Sequence, residues 1–348
     1  MRRILYCAAL IAVLAMIGWT QAASAPQPYK VIKTAKVGGA GGFDYVYADA
    51  VGRRLYIPRG GTTPRVSVFD LDTLAPVGEI PNANARGAAV DPVSGHGFCS
   101  SKPVVMWDTK TLAPIKTIEV QGGPDGILFD PFNARVYVFS HSAPNATVID
   151  AKDGTVVGTI DLGGAPEQAV TDGQGHLYVD IEDKDNVAVI DAKTLTVTAH
   201  YDLSGKGATP AGLAFDVKNH LLFVCCRKPA TMVVMDANDG KIIEALPIGA
   251  GCDGAVFNPA TMEVFSSQGD GTLTVVLEKS PSAFEVLQNV ATQRGAKTLT
   301  LDAKTNRILL IAAEYAAPAT PPTPPPAGSR GPRPQMIPDS FAILMVAR

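Results

Sequence analysis

Short runs of alternating apolar and polar residues recur along this chain, and most of them stop at an aspartate. Seven such runs end at Asp49, Asp91, Asp130, Asp172, Asp216, Asn258 and Asp302, at spacings of 42, 39, 42, 44, 42 and 44 residues. A short turn follows each, then a second strand with an aromatic residue or Leu near its middle. A second register keeps step with the first. The runs V-S-V-F-D, V-V-M-W-D, A-T-V-I-D, V-A-V-I-D and M-V-V-M-D place Asp70, Asp108, Asp150, Asp191 and Asp236 at matching points. Period-two alternation of β-branched residues reads as half-buried strand, and the Asp-rich pairs after it as tight turns.

A repeat of about 42 residues holding four short strands is the blade of a propeller. The fold class predicted is all-β, a seven-bladed β-propeller. Its ring closes through the N-terminus. Residues 29–38 resemble the outermost strand of the second repeat, Ala113 to Val120, yet they precede the first full repeat. The last repeat offers an inner strand, a second strand from Arg307 to Ala313 and a third from Phe341 to Val346, and lacks a fourth. Supplying it from residues 29–38 removes exposed strand edges.

The stretch from Leu177 to Leu195, L-Y-V-D-I-E-D-K-D-N-V-A-V-I-D-A-K-T-L, resembles the repeats of the YVTN β-propeller family. Gly123-Pro-Asp-Gly-Ile-Leu-Phe-Asp-Pro131 is similar to the P-x-G-V-A element of those repeats. The resemblance covers nearly all of the chain after its first residues. It implies an extracytoplasmic propeller and no particular activity. Repeat 2 is short, and repeat 7 carries an insertion.

Residues 1–25 read as a secretory signal peptide: Arg2 and Arg3, an apolar run from Ile4 to Trp19, then Ala22, Ala23, Ser24 and Ala25. The run is shorter than the roughly 20 apolar residues that cross a bilayer, so no membrane span is expected after cleavage. A periplasmic or secreted propeller over 26–348 follows. The chain carries 30 Lys and Arg against 33 Asp and Glu, a net charge of −3, with no basic run. Nothing in that balance calls for nucleic acid as a partner. After Cys7, four cysteines remain: Cys99, Cys225, Cys226 and Cys252. They lack zinc-site and C-x-x-C-H spacing, so no haem is expected. Cys226 and Cys252 fall on adjacent blades and admit either a bridge or free buried thiols; of the vicinal pair only one residue can face Cys252. With Trp107 the sole tryptophan beyond the signal, no quinone docking motif repeats along the blades.

Five residues before each strand-ending position the chain enters an inner strand at one mouth of the channel. That column reads Asp44, Arg86, Asp125, Glu167, Ala211, Asp253 and Lys297, and the next position is often glycine, at Gly87, Gly126, Gly212 and Gly254. Glycine there suits close backbone approach at a crowded axis. Loops joining second and third strands add Arg59, Lys102, His141, Glu182, Arg227, Gln268 and Glu314 on the same face. The plain reading of the charged column is a solvated mouth whose opposite charges pair. The functional reading is a ligand site of Asp44, Arg86, Asp125, Glu167, Arg227, Asp253 and Lys297, with bases holding a carboxylate or hydroxyls and acids accepting hydrogen bonds. A sharper version makes Asp125, Glu167 and Asp253 ligands for Ca²⁺ or another divalent cation. This would resemble gluconolactonase-type propellers, although their asparagine ligands have no counterpart in this column. His141 and Glu167 are the candidates for a general base.

Between 318 and 338 lies a proline-rich insertion with Arg330 and Arg333, on the same face as the charged column. It reads as an extended segment, either a tolerated insertion or a flap and docking strip. The leading expectation is a monomeric binding protein for a small polar molecule or a protein partner. The alternative is a metal-dependent, lactonase-like hydrolase at the same mouth.

Overall fold

A computed structural model describes residues 27–316 and 335–348. Seven four-stranded antiparallel sheets form a ring of blades, and each blade runs in chain order from its inner to its outer strand. The seventh is the exception. Its inner three strands are Leu299–Asp302, Arg307–Ala312 and Ala342–Ala347, and its outer strand is Lys30–Lys36. Lys30 lies opposite Ala347 and Lys36 opposite Ala342, so the two ends of the chain zip the ring shut. The expected signal peptide lies outside the described residues.

The recurring acidic residue has a local cause. Each strand-ending side chain accepts the backbone N–H two residues on: Asp49 from Val51, Asp91 from Val93, Asp130 from Phe132, Asp172 from Gln174, Asp216 from Lys218, Asn258 from Ala260 and Asp302 from Lys304. These seven Asx turns reverse the chain on the face away from the charged mouth. The second column behaves alike; Asp70, Asp108, Asp150, Asp191 and Asp236 accept from Asp72, Lys110, Lys152, Lys193 and Asn238.

Strand alternation then builds the core. Successive residues of one strand face opposite neighbours: Tyr56 packs into the seam with blade 2, Leu55 and Ile57 into the seam with blade 7. Seven apolar clusters fill the seven seams. Trp107 is wholly buried in the seam of blades 1 and 2 and lies over Gly97, where an added Cβ would fall 2.2 Å from the indole. The four cysteines are free and buried. Cys225 shares the seam between blades 5 and 6 with Cys252, whereas Cys226 faces blade 4.

Candidate functional site

Three charged residues of the column, and Ala211, sit in β-bulges. On the inner strands Pro124–Asp130, Pro166–Thr171, Ala208–Asp216 and Cys252–Asn258, the register slips by one at Asp125, Glu167, Ala211 and Asp253. A bulge re-aims the extra side chain, here towards the channel mouth. Asp44, Arg86 and Lys297 precede their inner strands.

The glycines after the column do what a crowded axis requires. An added Cβ at Gly126 would lie 2.8 Å from the Glu167 carbonyl oxygen, and one at Gly212 would lie 2.8 Å from the Gly254 backbone. Gly87 and Gly254 would meet Ile127 and Leu299 at 2.9 Å. In the remaining blades the same position holds Tyr45, Gln168 and Thr298, side chains that sequence reasoning passed over. Their signal was the break in the glycine column. Tyr45 crosses the channel and donates its hydroxyl to Glu167 Oε2 at 3.3 Å. Gln168 donates to the Ala255 carbonyl at 2.8 Å and accepts the Leu213 and Ala255 amides at 3.0 Å each, fastening blades 4, 5 and 6. Thr298 donates to the Asp44 carbonyl at 2.6 Å.

Charges alternate around the mouth. Arg86 lies 2.9 Å from Asp44 and 3.8 Å from Asp125. Lys297 links Asp44, at 3.5 Å, to Asp253. Arg227 joins Asp253 to Glu182, and His141 Nε2 lies 3.1 Å from Glu182 and 3.5 Å from Glu167. Arg227 thus supplies the charge that blade 5 lacks at Ala211. The circuit breaks only between Glu167 and Asp125, where two carboxylates adjoin. Burial raises both, Asp125 to about 7, with Arg86 opposing the rise. Asp125 is 8 % exposed, and its Oδ1 has no hydrogen-bond partner. His141 moves up to about 9, chiefly through its contact with Glu167. Burial would lower Lys297, but Asp253 and Asp44 raise it further.

Not every residue expected at the mouth reaches it. Arg59 is 1 % exposed, donates to the carbonyls of Gly38, Gly39 and Gly41, and lies 3.6 Å over the Phe341 ring. Its burial lowers it to about 10. Gln268 is buried in its own blade, accepting from Thr272 and Thr274. Lys102 does reach the mouth, where it donates to the Gly122 carbonyl at 2.9 Å. Glu314 is exposed. Of Asp125, Glu167 and Asp253, the expected cation ligands, only Glu167 belongs to the convergent donor set among the described residues; its companions are His141 and Glu182. Asp253 is instead taken up by Arg227 and Lys297. Most of the proline-rich insertion, Arg330 and Arg333 included, lies outside the described residues. Its roots are tied by Ala316 donating to Gln335 and Ile337 to Glu314, each at 2.8 Å.

Beside the circuit a cavity of about 430 Å³ opens between blades 1 and 2, lined by Asp44, Gly60, Asn84, Arg86, Ser100 and Lys102. The Arg86 side chain is 57 % exposed there. Below the mouth a second void of about 220 Å³ lies among Tyr45, Gly87, Gly126 and Gln168. Among the described residues, no helix is long and apolar enough to cross a membrane.

No protein-family model matches the chain, and comparison with curated proteins finds no match. The likeness to YVTN repeats therefore stands on the quoted residues alone. Among solved structures, the chain is similar to a propeller in a crystal structure of a mitotic checkpoint complex. The TM-score is 0.68 at 12 % identity, over 86 % of this chain and 95 % of the other. At that identity the likeness concerns the β-propeller fold alone.

Proposed function

We propose that the chain is an exported, monomeric binding protein that holds a small carboxylate bearing hydroxyl or amino groups at the charged mouth. Arg86 and Lys102, at the rim of the cavity between blades 1 and 2, would hold the carboxylate. Arg86 leaves more than half its side chain open while paired with Asp44. Asp125 Oδ1, buried 3.8 Å from Arg86 and without a hydrogen bond among the described residues, would accept a donor from the ligand's other end, which is the observation that carries the reading. A buried acceptor without a partner calls for one, and a cavity of this size takes a small molecule.

A thermal-shift screen over small carboxylic acids, with and without hydroxyl or amino substituents, tests this. Substituted acids should stabilise the protein more than plain ones, and Asp125→Val, which removes the acceptor, should erase the difference. Equal shifts for both sets, or none for either, would remove the proposed role of Asp125.

A protein partner is the second reading. The propeller that this chain resembles was solved within a mitotic checkpoint complex, and propellers serve widely as scaffolds. A metal-assisted hydrolase would need a bound cation and an activated water, and the fold gives it no greater support.

A further inference from the structure

His141, Glu167 and Glu182 each offer one donor atom, and the three atoms lie within 4.8 Å of one another. How the two glutamates are held gives this meaning. Glu182 has its Oε1 engaged by Arg227 and turns Oε2 to His141 at 3.1 Å. Glu167 has its Oε2 engaged by the Tyr45 hydroxyl and turns Oε1 to His141 at 3.5 Å. In each, an outer partner fixes one carboxylate oxygen and leaves the other facing inwards. That is the arrangement by which outer groups orient metal ligands.

Two further acids lie close to the trio. Asp125 and Asp180 both bear on Glu167. Among the described residues, neither oxygen of the wholly buried Asp180 has a hydrogen bond, and one oxygen of the nine-tenths buried Asp125 has none. Asp125 is answered by Arg86 at 3.8 Å and Glu182 by Arg227, which is shared with Asp253, while full burial drives Asp180 well above the usual carboxylate range. Buried acceptors without partners beside a convergent donor set call for an ion or ordered water.

We propose that His141, Glu167 and Glu182 form a divalent metal site at the seam of blades 3 and 4. One imidazole nitrogen with two carboxylate oxygens suits Zn²⁺ or Mn²⁺ better than Ca²⁺ or Mg²⁺, which favour all-oxygen shells. The ion binds the neutral Nε2 of His141 and one oxygen of each glutamate, and any proton on Nε2 leaves to solvent. Tyr45 and Arg227 act as positioning residues. The site stands whether or not a carboxylate ligand occupies the neighbouring cavity.

Calorimetric titration of the chelator-treated full chain with ZnCl₂, MnCl₂ and CaCl₂ separately tests this. One Zn²⁺ or Mn²⁺ per chain should bind saturably, with Ca²⁺ weaker. His141→Ala and Glu182→Gln should each abolish that site while the circular dichroism spectrum is retained. Tyr45→Phe, which keeps every ligand, should weaken it by about ten-fold. His176→Ala, at the exposed His176–Asp172 pair on the far face, should change nothing. No saturable site for either metal, or one that survives His141→Ala unchanged, would overturn the proposal. Loss on His176→Ala would do the same, by placing the metal on the other face.

Discussion

Arg227 stands in for Ala211. Blade 5 carries alanine at the position where the other six blades carry an ionisable residue, and the end of its second strand reaches over to fill the gap. One nitrogen of the guanidinium meets Glu182 of blade 4 and another meets Asp253 of blade 6. Both acids are mostly buried. Arg227→Met would leave two desolvated carboxylates short of a counter-charge, a loss of ~2 kcal/mol after allowance for the part-exposed arginine. Urea denaturation reads it. A change under about 0.5 kcal/mol, as for an ordinary surface pair, would contradict the assignment.

Gly126 sets how closely blade 3 approaches blade 4. Its added Cβ would meet backbone, the Glu167 carbonyl, so relief requires the inner strands to shift. Gly126→Ala should cost ~1–3 kcal/mol through overpacking. Gly42→Ala, where the Cβ would meet open space, should be close to neutral. Equal thermal midpoints for the two variants would argue against a crowded axis.

Ring closure depends on a few contacts at the joined ends. Tyr29 donates to Glu263 Oε2 at 2.6 Å, and Arg348 caps the same carboxylate and lies 4.6 Å over the Tyr29 ring. Glu263 is 1 % exposed. Tyr29→Phe should therefore cost ~2 kcal/mol, the range for a hydrogen bond to a charged group. Native-state hydrogen exchange should show faster opening of the blade 7 outer strand. Protection unchanged there would mean that closure does not depend on this contact.

Asp125 gives stability a pH dependence of unusual sign for a carboxylate. Burial lifts it from 3.8 to about 7, so the folded chain binds its proton more tightly than the unfolded chain does. Its contribution is greatest below about pH 4, declines as pH rises towards 7, and is flat above. Asp125→Asn removes that decline. Relative to wild type the variant should gain on the order of 3–4 kcal/mol between pH 4 and pH 8. Urea midpoints at the two pH values measure the difference, and parallel curves would rule out the raised value.

The blades were legible because their signal is local. An Asx turn needs its acceptor two residues before its donor, and period-two alternation needs only neighbouring residues, so both survive in one dimension. The column at the mouth was legible for the same reason, by its fixed distance from the turn. What escaped depends on reach. Tyr45 finds Glu167 three blades away, Gln168 finds Ala255 two blades away, and nothing local records either contact. Arg59 and Gln268 shared a column with Arg227 and Lys102, yet two fold inwards and two face the mouth. The direction of a long side chain at a strand end follows from the loops around it, here the carbonyls of Gly38, Gly39 and Gly41. The cation ligands expected from Asp125, Glu167 and Asp253 were chosen by type. Arg227 and Lys297 lie against Asp253, and Glu167 shares His141 with Glu182.

The central claim is that the mouth holds a small substituted carboxylate. Its most direct test is equilibrium binding of the best-stabilising acid to the wild-type chain, Arg86→Gln, Lys102→Gln and, as a control on the outer rim of blade 7, Lys30→Gln. Removing a charged hydrogen bond should weaken binding by about ten-fold or more in the first two variants, with the control unchanged. Equal affinity in all four proteins would place the ligand elsewhere and contradict the claim.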